Sequence, residues 1–580
     1  MSRIERAPSP PTRPYAWGRA TALLHQVDRG RWVDLFVVLA LAGIVFGIVG
    51  MSREWTGTLR PTVEIDLSPW ALPKYTLYSL SRGLIAFVLS LLFTLGYGYW
   101  AAKDRTAGRV LIPLLDVLQS IPVLGFMPGL VLALVAVFPH SNIGLELAAI
   151  AMIFTGQVWN MTFSFYHSLR SVPADLAEAA TTFRFSRWER LRRVELPFSM
   201  IGLIWNSMMS MAGGWFFLMI SEAFVLGDKD FRLPGLGSFM TVAVAQGNVG
   251  AMVWAILAMV VMIVALDQLL WRPVVVWAQK FRVDDSGQTE AMHSWFLDLL
   301  VRSHLIAWVR SRQRPHARRR IAPPRPPRTG SHGAYLSKVV FATLMLGLCL
   351  VTWKLLHLLA PITARQWINV FGEGFVTLGR VLLATVLGTM WTVPVGLAIG
   401  LNPKLSRILQ PVVQVVASFP APMLFPALIA AMHFSGIPLG WGSIVLMLVG
   451  TQWYILFNVI AGTTAIPADL REVASMFRMR RWERVRSLYL PSVFPYLVTG
   501  WITAAGGAWN ASIVAEHVSF HGATTTTVGL GAVVSEAASN AQFAVLAASL
   551  IVMATMVVAF NRLIWRRLHG LAERRYALTR

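Results

Sequence analysis

Long stretches of this sequence carry no charge at all, and that feature narrows its possible folds more than any other. Residues 35–51 read LFVVLALAGIVFGIVGM, and residues 251–265, 339–351 and 541–560 are similar. A helix needs about 20 mainly apolar residues to cross roughly 30 Å of hydrocarbon. Windows of that kind predict about twelve spans. Six start near Trp32, Leu77, Val110, Leu145, Met200 and Val249, and six near Leu336, Phe371, Ile408, Trp441, Val493 and Ala541. The chain is 56% hydrophobic and 14% charged over 580 residues, whereas soluble domains carry about 25% charged residues. The expected fold class is therefore an all-α polytopic membrane protein.

The net charge of +23 would suit nucleic-acid binding, but its placement favours topology. Lys and Arg collect before the first span (Arg3, Arg6, Arg13, Arg19, Arg29, Arg31), between residues 310 and 328, and at Arg566, Arg567, Arg574 and Arg575. Such an excess marks cytoplasmic flanks. Both termini and the middle segment are thus expected in the cytoplasm of a bacterial cell, with the chain in its inner membrane. The stretch before Trp32 is long for a signal peptide and no small-x-small site follows the first run, so that run is expected to stay as an anchor. The only cysteine, Cys349, lies inside an apolar run.

The text is written twice. PADLAEAATTFRFSRWERLRRVELP at 173–197 returns as PADLREVASMFRMRRWERVRSLYLP at 467–491, matching at 15 of 25 positions with an offset of 294. The offset also pairs Gly213 with Gly507, Trp215 with Trp509 and Glu222 with Glu516. Upstream it becomes 298, pairing Arg82 with Arg380, Ser120 with Ser418, Pro122 with Pro420 and Pro128 with Pro426. Six spans per half is an even number, so the repeat is parallel, about an axis along the membrane normal. The expected organisation is a tail at 1–31, a first half at 32–272, a basic Pro-rich linker at 273–334, a second half at 335–565 and a tail at 566–580. Within the linker, 322–330 should be extended. Residues 292–310 are amphipathic and suit either the inner interface or packing on the bundle.

Leu176, Ala179, Ala180 and Phe183 follow helical spacing, and Asp175 and Glu178 stand early, where carboxylates suit a helix N-terminus. A second short helix begins near Ser186, and Pro197 opens the next span. Two short helices with a small apolar face, made twice, have the shape of an insert for another protein's groove. An anchoring interfacial helix is the plainer alternative.

Here the sequence resembles the permease subunits of ATP-binding-cassette importers, in the nitrate, sulfonate, taurine and bicarbonate branch. The resemblance rests on Glu178-Ala179-Ala180 with Leu196-Pro197, on SIPVLGFMP and SFPAPMLFP, and on Glu222 and Glu516 followed by GLG. It covers about 76–272 and 372–565, and implies the type I importer fold with both permease halves fused. It also implies an ATPase-coupling role for Glu178, Ala179, Ala180, Phe183, Arg184, Leu196 and Pro197. In the second half that role falls to Glu472, Val473, Ala474, Phe477, Arg478, Leu490 and Pro491. The family usually has Gly where Arg184 and Arg478 stand, and Val473 replaces an Ala. Gly-to-Arg removes easy access to positive φ, so the turn is expected to be remodelled, with Arg facing either an acidic rim on a partner or lipid headgroups.

No Gly is followed by Lys anywhere, so the phosphate-cradling G-x-x-x-x-G-K-[ST] loop is missing. There is no metal-ligand cluster or nucleophile motif. The chain is expected to be no enzyme and to hold no cofactor, ATP and Mg being bound by a separate ATPase with two nucleotide sites. The resemblance adds a periplasmic or lipid-anchored solute-binding protein and, as substrate, a small anion such as nitrate, sulfonate or bicarbonate. Ser120, Pro122, Pro128, Ser418, Pro420 and Pro426 are candidate path-lining residues, since a Pro in a span frees a carbonyl and is tolerated beside a water-filled cavity. Glu222 lies 25 residues after Pro197, about 37 Å along a helix. Glu222 and Glu516 are therefore expected near the periplasmic mouth, paired with Arg82 and Arg380. Competing readings are an ion-gradient-driven secondary transporter and a membrane signalling scaffold.

Overall fold

The computed structural model describes residues 63–226, 229–281, 294–301, 331–520 and 523–576, with isolated positions between 38 and 57. Its larger unit takes in 53–284 and 326–580; a smaller one, 1–52 and 285–325, contributes the short helix α11 (Trp295–Val301). The span expected near Trp32 and the extended segment at 322–330 lie outside the described residues.

The first half begins with α1 (Leu72–Lys103), then α2 (Arg105–Ser120), α3 (Val123–Val137) and α4 (Ile143–Arg170). Two short helices follow, α5 (Ala174–Thr182) and α6 (Arg187–Arg190), and a π-helical turn leads into α7 (Leu196–Ser221). A hairpin of β1 (Ala223–Leu226) and β2 (Lys229–Arg232) precedes α8 (Leu236–Ala245), α9 (Val249–Leu266) and α10 (Arg272–Ala278). After α11, the second half adds α12 (Ser331–Leu359) and repeats the order. It comprises α13 (Ala364–Leu401), α14 (Pro403–Ser418), α15 (Phe425–Phe434), α16 (Leu439–Thr464), α17 (Ala468–Met476), α18 (Arg481–Arg484) and α19 (Leu490–Ala515). The hairpin β3 (His517–Phe520) and β4 (Ala523–Thr526), α20 (Leu530–Ser539), α21 (Phe543–Phe560) and α22 (Arg566–Tyr576) complete it.

Each expected span after the first has a helix in its place. Among the described residues seven helices are long and apolar enough to cross a membrane. The third span is not a straight crossing. Ile121 and Pro122 take extended backbone, ψ 120° and 124°; Ile121, as the residue before a proline, is driven out of the helical region, and α2 and α3 bend by 96° there. In the second half the break at Pro420 is followed by a 3-10 turn before α15.

Within each half the central sandwich is the same: α1 on α4 and α4 on α7, α13 on α16 and α16 on α19. The broken spans cross over. α14 of the second half packs on α7 and α9 of the first, while α2 and α3 of the first pack on α21 of the second. The hydrophobic cores follow that exchange. Val123 and Leu124 are buried in a core otherwise largely of the second half, and Met423 in one of the first.

Candidate functional site

Three features of this frame bear on function: a cavity between the halves, the twin short-helix loops, and a buried ionic cluster in each half.

A cavity of about 240 Å³ lies where α4 and α7 face α13, α16 and α19. Its wall carries the rings of Trp159, Phe216, Phe217, Phe419, Tyr454 and Trp509 among the polar groups of Gln119, Asn160, Ser210, Thr451 and Asn510. Among the described residues that line it there is no Asp, Glu, Lys, Arg or His. Ser210 is buried and its Oγ has no partner. Gly213 faces the Tyr454 hydroxyl across the halves, with room for a Cβ in ordinary contact at 3.4 Å. Pro420 lies on the wall, next to Phe419. Pro122 caps α3, Pro128 is buried inside it, Pro426 sits in the first turn of α15, Ser120 ends α2, and Ser418 donates to the Gln414 carbonyl at 2.8 Å. The N–H freed at the first break is accepted by Asn510 Oδ1 of the other half, from Val123 at 2.9 Å. The corresponding residue of the first half is Phe216, which offers no acceptor.

In the twin loops α5 and α17 start after Pro173 and Pro467, with Asp175 and Asp469 in their first turns. One alanine of each, Ala180 or Ala474, is buried, while Glu178, Ala179, Glu472 and Val473 are exposed. Each helix ends in a Schellman motif, in which the two residues after the cap return N–H groups to the last turn. Arg184 N–H donates to the Thr181 carbonyl at 2.9 Å and Phe185 N–H to that of Ala180 at 2.9 Å. Arg478 and Met479 repeat this to Ser475 and Ala474 at 3.0 and 3.2 Å. The turn is therefore not remodelled: Arg184 and Arg478 take φ 50° and 49°, the left-handed conformation itself. For an L-residue that conformation costs about 1 kcal/mol. A capping box, Ser186 with Glu189, then starts α6. Leu196-Pro197 and Leu490-Pro491 open the long helices. Phe183 and Phe477 are 72% and 78% exposed.

The first loop is also pinned. Buried Glu195 accepts from Lys103 Nζ at 2.6 Å and from Arg190 Nε at 2.8 Å, which ties the loop to the end of α1. Tyr489 stands at the corresponding place in the second half, and there Arg484 Nε donates to the Met479 carbonyl instead.

At the far end of α7, Glu222 Oε1 accepts from Ser79 Oγ at 2.6 Å and from Arg82 Nη1 at 2.7 Å, and Oε2 from Gly237 N–H at 2.7 Å. The second half repeats the pattern with Thr377, Arg380 and Gly531 on Glu516. A Cβ at Gly235 or Gly529 would overlap the carboxylate, which accounts for the first Gly of each GLG. Arg82 has a further partner, Glu146, on two bonds of 2.6 and 2.7 Å. In the second half that position is Gly440, and Arg380 Nη2 turns to Thr527 Oγ1 at 3.1 Å. Burial holds the His517 imidazole below its ordinary value, against the pull of Glu536, so it adds no charge beside Glu516 at neutral pH. Sequence reasoning missed Ser79, Thr377 and Glu146, although the lone acid in the apolar run at 143–153 was a visible signal.

The sequence pattern described as "binding-protein-dependent transport system inner membrane component" matches residues 94–270 and again 392–576. The chain is 28% identical over 235 residues to the glycine betaine transport system permease protein OpuAB of Bacillus subtilis, covering 40% of this chain and 78% of that protein. It is 29% identical over 147 residues to the nitrate import permease protein NrtB of Synechococcus elongatus, covering 25% and 51%. It is 29% identical over 163 residues to the bicarbonate transport system permease protein CmpB from the same species, covering 28% and 57%. The chain thus spans about half the length of the nitrate and bicarbonate relatives.

Proposed function

From the premise that this chain belongs to the family of inner membrane components of binding-protein-dependent transport systems, we propose that it forms the whole solute path of an ATP-driven importer. The path runs between the two halves, through the cavity of Trp159, Asn160, Ser210 and Tyr454. The chain is the permease and not the hydrolytic component, in keeping with its relatives. The twin loops, α5–α6 and α17–α18, dock a separate pair of ATPase subunits. The loops, both termini and the linker face the cytoplasm, as the charge placement favours, and the hairpins β1–β2 and β3–β4 face a solute-binding protein outside.

The observation that carries this reading is the repetition of one exposed, capped double turn, with Phe183 and Phe477 outward at corresponding places. A merely anchoring loop needs no such likeness between halves. For the solute, a small anion such as nitrate, sulfonate or bicarbonate is the proposed class. It would be met by hydroxyl, amide and indole donors rather than by a fixed cation.

The test is purification from the native host. One chain is expected with two ATPase copies, and ATP turnover is expected to fall at least tenfold when Phe183→Ala and Phe477→Ala are combined at unchanged membrane level. A chain that purifies alone and accumulates solute in response to a proton or sodium gradient would establish the secondary-transporter reading instead.

A further inference from the structure

Resting on the docking role of the twin loops, we infer that Arg184 and Arg478 each form an ion pair with a carboxylate on the docked ATPase, and so decide which ATPase this permease accepts. Three observations carry the inference. First, the backbone at both residues is left-handed, φ 50° and 49°. Glycine adopts that conformation without cost and an arginine does not. Only one other non-glycine residue among those described, Ala541, shares it. Second, both side chains are exposed and, among the described residues, their guanidinium groups make no hydrogen bond or ion pair. Third, the same loops expose large rings close by in the chain, Phe183 and Trp188 in one, Phe477 and Trp482 in the other. Arginine among aromatic side chains is the composition of the energetic centre of an interface.

Lipid phosphates are the other anions within reach of such a loop. The loops already present Arg187, Arg192 and Arg193, and Arg481 and Arg486, on α- or π-helical turns and not at a left-handed residue. A diffuse layer of headgroups could be met from any of these. A partner at one fixed point explains why both halves keep the cation where the backbone opposes it. A protein partner supplies such a fixed anion as an Asp or Glu carboxylate, which the planar guanidinium meets with two parallel bonds.

The experiment uses the full chain in nanodiscs and the ATPase that co-purifies with it. In Arg184→Gly/Arg478→Gly, amide hydrogens of the two loops should exchange more slowly than in the parent, since the strain is gone. Affinity for the ATPase should nevertheless fall about tenfold or more, as expected for loss of a charge-assisted pair. Its dependence on salt should flatten. Arg184→Lys/Arg478→Lys, which keeps the charge but not the fork, should fall between. Unchanged affinity in the Gly variant would overturn the inference while leaving the docking role intact. So would a loss that appears in phosphatidylglycerol nanodiscs and vanishes in phosphatidylcholine, which would assign the arginines to lipid. A parent chain that binds no ATPase at all would instead remove the docking role on which the inference rests.

Discussion

Arg82 and Arg380 stand at the same place in the two halves and keep different company. Arg82 is 1% exposed and paired with two carboxylates, Glu146 and Glu222; Arg380 is 12% exposed and paired with one carboxylate, Glu516. Removing one member of a buried ion pair leaves its partner charged and dry, at about 3–5 kcal/mol. Arg82→Gln strands two acids where Arg380→Gln strands one. We therefore expect Arg82→Gln to lower the melting temperature in detergent clearly more than Arg380→Gln; equal shifts would show that Glu146 contributes nothing. Both arginines and both distal glutamates could be read from the repeat, since each has a twin at a constant offset. Glu146 could not be reached that way because its twin is Gly440. Ser79 and Thr377 are ordinary helix hydroxyls until folding brings them to a carboxylate.

The two loops share a backbone path, but only the first is clamped, by Glu195 between Lys103 and Arg190. A buried carboxylate that loses its charge also loses bonds worth about 1–3 kcal/mol, roughly tenfold in a local opening equilibrium. Hydrogen exchange over residues 174–195 should thus quicken severalfold in Glu195→Gln and approach that of 468–489. No change would mean that the clamp is idle. Long apolar runs made the membrane helices legible, the start near Ser186 was legible from apolar spacing, and the Pro197 opening from the fit of proline to a first helical turn. The bend at Pro122 was not, because a proline in an apolar run signals a kink without its angle. The hairpins were missed because four-residue strands leave too short a pattern to count.

At the scale of the molecule, the halves exchange parts: Val123 and Leu124 are buried in the second core, Met423 in the first, and Asn510 receives the Val123 N–H. An interface built from both cores should hold without the covalent connection. Residues 1–325 and 326–580, expressed together as separate chains, are expected to co-purify from the membrane; independent migration of the two would contradict that. Joining the halves in one polypeptide has a further result at the cavity. Asn160 and Tyr454 occupy twin positions on its wall, yet one is an amide and the other a phenol. A homodimer must alter both sides of its channel with every mutation. In this chain a single codon change retunes one side and spares the other, so a passage can evolve lopsided.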